Sequence, residues 1–230
     1  MDIDFEPFFR EYEALRNVVD ATFERVQEEY GDCVRCEVGC ADCCHALFDL
    51  TLIEALYINH HYHLQLDEKQ KAALAEKANT ADRQTYKIKR DAYKRMASGE
   101  DQNAILEHIA EQRVRCPLLN EKDRCDLYDW RPITCRLYGI PTAIGGKART
   151  CGLSGFAPGE PYPTVNMDML HDKLYDISER LVNSLHTRHK KMADVLVPLS
   201  MALMTVYNET YLGLESETDG NADKEEKTDG

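Results

Sequence analysis

Apolar residues recur every three or four positions near both ends of the chain. From Pro7 to Tyr30 this spacing predicts one long helix, and Gly31 suits its C-terminal end. The same spacing from Met167 to Leu181 predicts a second long helix. Pro198 fits the first turn of a last helix that would run to about Tyr211.

The part between these helices begins with more helical signals. The run "TLIE" at 51–54 predicts a capping box, in which Thr51 is the N-cap and Glu54 reaches back to it. The helix that it opens would run to about Leu64. Residues 67–97 are rich in helix formers with a thin apolar stripe, which predicts a largely exposed helix. A short helix is expected over 101–114.

Residues 116–163 are different, because they are rich in proline and glycine. No helix of ordinary length fits there apart from a single turn opened by Pro132, and 117–128 suggests two short extended runs around a polar turn. A loop of this length needs something to hold it, and a metal would do so. The fold class expected is therefore mainly α: a helical domain with a small irregular or β-hairpin cysteine-rich metal-binding segment.

We expect one helical domain over 1–214, with the cysteine-cluster region at about 33–151, followed by a disordered acidic tail at 215–230. The formal net charge of −13 argues against nucleic acid or an acidic membrane surface as a partner. The start of the chain lacks a signal-peptide pattern, and its longest apolar stretch is too short to span a bilayer. The expected location is the cytoplasm, and a protein partner stays open.

Nine cysteines then have to be accounted for in a reducing compartment, where metal ligands or catalytic thiols are more usual than disulfides. Four thiolates saturate one structural zinc or hold one iron–sulfur cluster. Apart from Cys33, the cysteines form two groups of four, which fit two four-ligand sites or one polynuclear site: Cys36, Cys40, Cys43 and Cys44, then Cys116, Cys125, Cys135 and Cys151.

The adjacent pair Cys43 and Cys44 sharpens this hypothesis. Neighbouring side chains point in divergent directions, so we expect the two thiols to serve different metals or different irons of one cluster. Each site would then combine ligands from both groups, and the metal would fasten the 116–151 loop to the N-terminal cluster. Structural zinc supplies roughly 10–16 kcal/mol in small peptides, which is ample to order such a loop.

The cysteines could also have roles without a metal. They could be buried core thiols, or Cys33 and Cys36 could form a redox dithiol, although no thioredoxin-like pattern surrounds them. Cys33 is otherwise a spare thiol near the site or an alternative ligand. The spacing from Cys36 through Cys40 to Cys43 is also that of radical enzymes that use S-adenosylmethionine, but Asp42 stands where they carry an aromatic residue.

Several stretches together carry a resemblance to a known family: "CEVGCADCC", "RCPLL", "RCDLYDWRP" and "CRLYG". They resemble the YkgJ-like cysteine-cluster family, which has a CxxCxxCC-type signature and is described as zinc- or iron-chelating. The resemblance covers roughly residues 33–151, with three residues rather than two between Cys36 and Cys40. The same cysteine cluster is also similar to part of the flagellin lysine N-methylases, and that resemblance implies an iron–sulfur cluster.

The function expected is thus a metal-binding protein that coordinates zinc or iron, or an iron–sulfur cluster, through the eight cysteines. The alternative is an iron–sulfur enzyme with redox or protein lysine methyl-transfer chemistry. Whether the protein is an enzyme at all stays open, and no catalytic residue is assigned.

Several residues within or beside the motifs are further candidates for a role at the site. Arg131 and Arg136 could face an anion or a metal-bound thiolate, or they could pair with Asp126, Asp129 or another acid. Trp130 is expected to be a packing residue. His45 could be a ligand, a donor to the site or a locally satisfied histidine, and the histidines of "HHYH" favour a solvated helix end: His60, His61 and His63.

Overall fold

The structure is a computed structural model that describes residues 3–214, and helices dominate it. The described helices are α1 Glu6–Glu29, α2 Leu52–Gln65, α3 Glu68–Ala97, α4 Gln102–Ala110, α5 Ile133–Leu137, α6 Met167–Ser184, α7 Leu199–Met204 and α8 Glu209–Leu212. Five short strands accompany them: β1 Asp49–Leu50, β2 Thr142–Ile144, β3 Lys147–Arg149, β4 Val165–Asn166 and β5 Val197–Pro198. This architecture confirms the mainly α fold class with a small β segment.

The strands form two small sheets that join distant parts of the chain. In the first, β1 pairs antiparallel with β5, so that Asp49 lies opposite Pro198. In the second, β2 is central, antiparallel to β3 and parallel to β4. The sheets therefore fasten the start of α2 to the start of α7 and the end of the cysteine-rich segment to the start of α6.

Helix α2 is the central element, because it is buried on nearly all sides from Leu52 to Asn59. Glu54 accepts hydrogen bonds from the backbone N and the Oγ1 of Thr51, at 3.2 and 2.9 Å, as the capping box predicts. Its other oxygen accepts the backbone N–H of Ile133 at 3.0 Å. One buried carboxylate thus caps α2 and also fixes the first residue of α5.

Two hydrophobic clusters meet along α2. The first cluster joins α1, α2, α5 and α6 and includes Tyr12, Tyr57 and Leu181. The second joins α2, α3 and α7 to the segment that contains Leu118 and Leu127. The cysteine-rich segment therefore contributes side chains to both parts of the core, with α5 in the first and residues 116–127 in the second.

Helix α3 matches the largely exposed helix expected over 67–97. Its buried side chains are few and mostly small: Leu74, Ala78, Ala81, Thr85 and Ala92. Asp67 caps the helix by accepting the Gln70 N–H at 2.8 Å, and Gln70 returns the bond. The small buried residues let α3 run close to α7.

The expected last helix over 198–211 is wrong, because it is divided into α7 and α8. Pro198 belongs to β5 and precedes α7 rather than lying in its first turn. The buried amide of Asn59 donates to the backbone carbonyls of Ala202, Leu203 and Thr205 at 2.9–3.2 Å. Helix α7 therefore ends at Met204. The Asn59 amide satisfies carbonyls that the N–H groups of a further helical turn would otherwise use as acceptors.

The hairpin expected within 117–128 is also not formed as two strands. A single antiparallel bridge joins Leu119 to Cys125, and the Asn120 side chain accepts the N–H groups of Lys122 and Arg124 to hold a turn. The hairpin in this region is β2–β3 instead. Helix α4 ends at Ala110, earlier than expected, because the backbone of Arg113 forms an antiparallel β-bridge with Ala46.

Within residues 3–214, no helix combines the length and the apolar character needed to cross a bilayer. The acidic tail expected to be disordered, 215–230, lies outside the described residues.

Removal of the Glu54 carboxylate should destabilise the fold. In Glu54→Ala, the N–H groups of Thr51 and Ile133 lose their buried acceptor, and a buried donor left unsatisfied costs about 1–3 kcal/mol. We expect the free energy of unfolding in urea to fall by that amount. Glu76→Ala, at an exposed position of α3, should change it by less than about 0.5 kcal/mol, and equal losses in both variants would contradict this role of Glu54.

Candidate metal centre

Both cysteine groups line one cavity of about 630 Å³. Cys43 and Cys44 lie in a 3-10 turn over Asp42–His45, and Cys135 lies in α5. The other members stand in loops beside these elements: Cys36, Cys40, Cys116, Cys125 and Cys151. The structure thus brings together the eight cysteines that the sequence singled out, and their role as ligands stays a prediction.

Backbone hydrogen bonds hold the two groups side by side. The N–H of Cys116 donates to the carbonyl of Cys44 at 2.7 Å, and the N–H of Val114 donates to the carbonyl of His45 at 3.0 Å. The bridge between Ala46 and Arg113 continues this antiparallel contact. The first cysteine of the second group is therefore fixed beside the last cysteine of the first group by the protein itself.

The expectation that Cys43 and Cys44 diverge is wrong. Their sulfur atoms lie 4.0 Å apart, because rotation about the Cα–Cβ bonds lets two neighbouring thiols approach each other although their Cα–Cβ bonds point apart. Two thiolates on one tetrahedral zinc stand about 3.8 Å apart, given bonds of about 2.3 Å. The pair can therefore bind one ion together, as well as two neighbouring ions.

Cys33 is separated from the other eight cysteines. It packs against the first hydrophobic cluster and is not among the residues that line the cavity. Its carbonyl accepts the N–H of Gly155 at 2.7 Å, so its backbone holds the loop that follows Cys151. None of the nine cysteines, which all lie within residues 3–214, is in a disulfide. This position is compatible with a spare thiol near the site, and the role of Cys33 stays a prediction.

Gly139 makes room for one of the cavity sulfurs. A Cβ atom built on Gly139 would overlap the sulfur of Cys36, so only glycine leaves that thiol in place. Gly139 is the last residue of the run "CRLYG", so this family motif is the sequence signal that could have identified the glycine.

Asp42 forms a polar edge of the site that sequence reasoning missed. The Cys151 thiol donates to one Asp42 carboxylate oxygen at 3.4 Å, and Arg113 forms an ion pair with the other. Arg113 also donates to the Asp42 backbone carbonyl at 3.0 Å. Asp42 is the residue that stands where the radical enzymes carry an aromatic, and here it links the first cysteine group to Cys151.

Burial raises the pKa of several thiols in the cavity, so these thiols hold their protons at neutral pH. It raises the pKa of Cys36 and Cys125 to about 11 and that of Cys116 to about 12. The pKa of Cys135 also rises well above its ordinary value through burial. That of Cys43 is raised above its usual range, first by the hydrogen bond with Cys44 and then by burial. A metal must therefore displace protons to bind here.

The donor set fits a soft metal ion, because zinc and iron–sulfur clusters are held by thiolates. Among residues 3–214, no three Cys, His, Asp or Glu side chains form a group that could hold an ion. The eight thiols nevertheless share one cavity, and the sulfurs of Cys43 and Cys44 are at nearly the separation that one zinc requires.

The two arginines of the motif have different roles. Arg136 is almost fully buried and binds Asp20 with Nη1 at 2.9 and 2.6 Å, so the ion-pair interpretation applies, with an acid of α1. Arg131 lies over the ring of Tyr128 at 3.9 Å and lines the cavity. Its positive charge opposes the pKa rise of several thiols, namely Cys36, Cys43, Cys125 and Cys135.

The histidines His45, His60, His61 and His63 are not among the residues that line the cavity. His45 Nδ1 donates to the Ala41 carbonyl at 3.0 Å, which makes it a locally satisfied histidine. His61 is not solvated as expected, because it stacks on Trp130 with ring centroids 4.9 Å apart. Burial lowers the pKa of His61 to about 4. His60 and His63 are exposed, and Trp130 contacts both hydrophobic clusters, as its packing role predicts.

The fold and the site define a mainly helical protein in which eight cysteines of a cysteine-cluster region line one cavity. Comparison with family models agrees: residues 32–152, more than half of the chain, match the CxxCxxCC model, described as "putative zinc- or iron-chelating domain". The chain belongs to this cysteine-cluster family, which confirms the resemblance of its motifs. No curated protein and no solved structure matches the chain.

Gly139→Ala should weaken metal binding without unfolding the protein. The new methyl group would occupy the place of the Cys36 sulfur and push that thiol out of the cavity. We expect metal retention during dialysis against a chelator to fall to the level of Cys36→Ser. Gly152→Ala is the matched control, because a Cβ there meets nothing within 4 Å. Full retention in Gly139→Ala would show that Cys36 is not a ligand.

Metal affinity should rise with pH. The pKa of the thiols Cys36, Cys116 and Cys125 lies at about 11–12, so each of them must release a proton at neutral pH when a metal binds. We expect the apparent affinity for Zn²⁺, measured by chelator competition between pH 6 and pH 8, to increase by at least about tenfold per pH unit. An affinity that does not change with pH would contradict thiol ligation.

Proposed function

We propose that the protein holds a polynuclear zinc or iron centre whose ligands are the eight cysteines of the cavity. The observation that carries the proposal is that both sequence groups line one cavity and are joined by the hydrogen bond from Cys116 to Cys44. Four thiolates suffice for one tetrahedral ion, so eight in one space point to more than one metal.

The charge of the thiols supports more than one metal. Eight thiolates around a single divalent ion would leave a large negative charge in a partly buried site. Further metal cations would offset part of that charge, together with the arginines that line the cavity, Arg115, Arg124 and Arg131.

The donor set is compatible with both zinc and iron. Sulfur-only ligation suits tetrahedral zinc and also iron–sulfur clusters. A brown protein that bleaches with dithionite would identify an iron–sulfur centre. A colourless protein made without oxygen and with ample iron would exclude the cluster, and zinc analysis of the same protein would then identify zinc.

Metal content per chain tests the proposal directly. Protein purified without oxygen should contain more than one zinc or iron per chain by mass spectrometry of the metals. The double variant Cys43→Ser with Cys44→Ser should lose most of that metal, because these thiols lie at the junction of the two groups.

Cys33→Ser is the matched control, because this ninth cysteine does not line the cavity and should keep the full metal content. Fewer than about one metal per chain in the native protein would refute a metal centre. So would unchanged content in the Cys43 and Cys44 double variant.

An iron–sulfur enzyme, with redox or protein lysine methyl-transfer chemistry, is the second candidate function. It is favoured by cavity volume that extends beyond the sulfurs, since a catalytic centre needs an open position beside the metal. Addition of cyanide to the iron-loaded protein would change its absorption spectrum if a position is open. An unchanged spectrum would favour a closed chelating centre.

A further inference from the structure

Asp42 brings an oxygen donor into the wall of the cysteine cavity, directly before Cys43 in the chain. Its side chain is only 19% exposed. One carboxylate oxygen forms the ion pair with Arg113, whose guanidinium also donates to the Asp42 backbone carbonyl at 3.0 Å. These two contacts fix the orientation of the carboxylate, and its other oxygen lies 3.4 Å from the sulfur of Cys151.

The distance between Asp42 Oδ2 and Cys151 Sγ suits two ligands of one ion. A sulfur and an oxygen on one tetrahedral zinc stand about 3.6 Å apart, given bonds of about 2.3 and 2.1 Å. The observed 3.4 Å is close to this separation. The backbone N–H of Leu153 donates to the same sulfur at 3.4 Å and so helps to hold it beside the carboxylate.

Charge favours a shared ion over a simple hydrogen bond once metal is bound. When Cys151 binds a metal, its S–H bond breaks, a sulfur–metal bond forms and the proton passes to water. The thiolate would then face the carboxylate of Asp42 at 3.4 Å, and like charges at this distance repel each other. Arg113 offsets only one of the two charges. A cation bound to both atoms takes the place of the proton and removes the repulsion.

The surroundings of Asp42 match those of a ligating carboxylate. Such a carboxylate is itself hydrogen-bonded by an outer partner that fixes its orientation, and Arg113 is that partner here. Cys36 and Cys40 are the nearest candidates for the remaining ligands. Burial raises the pKa of Cys36 first, and the charges of Cys40 and then Cys151 raise it further, so these thiols lie within range of one another's charge. Three sulfurs and one oxygen complete a tetrahedral set.

We propose that Asp42 is a metal ligand beside Cys151, so that one ion of the centre has mixed sulfur–oxygen coordination. The inference rests on the proposed function for the presence of metal, and it adds a ligand that is not a cysteine. A carboxylate is a harder donor than a thiolate and binds a soft ion less firmly. The ion held by Asp42 is therefore the one that exchanges fastest with the solution.

Cadmium NMR of the full-length protein tests the proposal, because the cadmium resonance moves downfield as sulfur ligands replace oxygen. The protein is loaded with Cd²⁺ in the absence of oxygen. We expect the native protein to show a resonance upfield of the all-sulfur region. Asp42→Cys should move this resonance into the all-sulfur region, and Asp42→Asn should shift or abolish it, because the carboxylate ligand is lost.

Asp126→Asn is the matched control. Asp126 also neighbours a cysteine of the centre, Cys125, but it does not line the cavity. Its removal should leave the cadmium spectrum as in the native protein. A second control is circular dichroism of each variant, which would show whether the helical content is retained.

Metal release to EDTA gives a second readout, because it measures exchange directly. From the native protein loaded with Zn²⁺, part of the metal should leave in a fast phase. Asp42→Cys should slow this phase by at least about tenfold, since thiolate replaces carboxylate, whereas Asp126→Asn should not change it.

A native protein whose cadmium resonances all lie in the all-sulfur region would overturn the proposal. So would a native spectrum in Asp42→Asn, or a fast phase of zinc release that Asp42→Cys leaves unchanged. In each of these cases the bound metal shows that the centre itself exists. A protein that binds neither Cd²⁺ nor Zn²⁺ would instead refute the metal centre and, with it, the role of Asp42, so the two failures are distinguishable.

Discussion

The antiparallel contact between Cys44–His45 and Val114–Cys116 is the interaction on which the site depends. Two backbone hydrogen bonds, of 2.7 and 3.0 Å, join segments about seventy residues apart in sequence. They place the second cysteine group beside the first. Protein hydrogen bonds therefore hold the two cysteine groups together, a role that the sequence analysis gave to the metal alone. A bound metal would add ligand bonds across the same junction.

The other end of the cysteine-rich segment is held by buried charge. Glu54 accepts the N–H of Ile133 at the start of α5, and Arg136 of the same helix pairs with Asp20 of α1. A buried ion pair costs desolvation, so it is tolerated where further hydrogen bonds satisfy both groups. Arg136 meets this condition through additional bonds to the carbonyls of Arg131 and Asp129. These contacts fix α5, and with it Cys135, against the helices of the core.

Helices α3 and α7 pack against each other beside the cysteine-rich segment. The buried residues of α3 are mostly small, which permits this close packing. Cys116 and Cys125 belong to the second hydrophobic cluster together with Leu199 of α7. The same segment thus supplies thiols to the cavity and apolar side chains to the core.

Local signals were sufficient for the long helices and for the choice of eight cysteines. Helix periodicity depends on neighbours within one or two turns, and a capping box such as that of Thr51 and Glu54 depends on only four consecutive residues. The dense thiols, with the family motif, likewise identify a chelating domain without any coordinates. Only the tertiary structure decided the contacts that involve distant partners. Asn59 ends α7 through carbonyls more than 140 residues away, and Gly139 leaves room for the sulfur of Cys36. The sulfur–sulfur distance of 4.0 Å between Cys43 and Cys44 depends on backbone and side-chain conformation, which residue spacing does not specify.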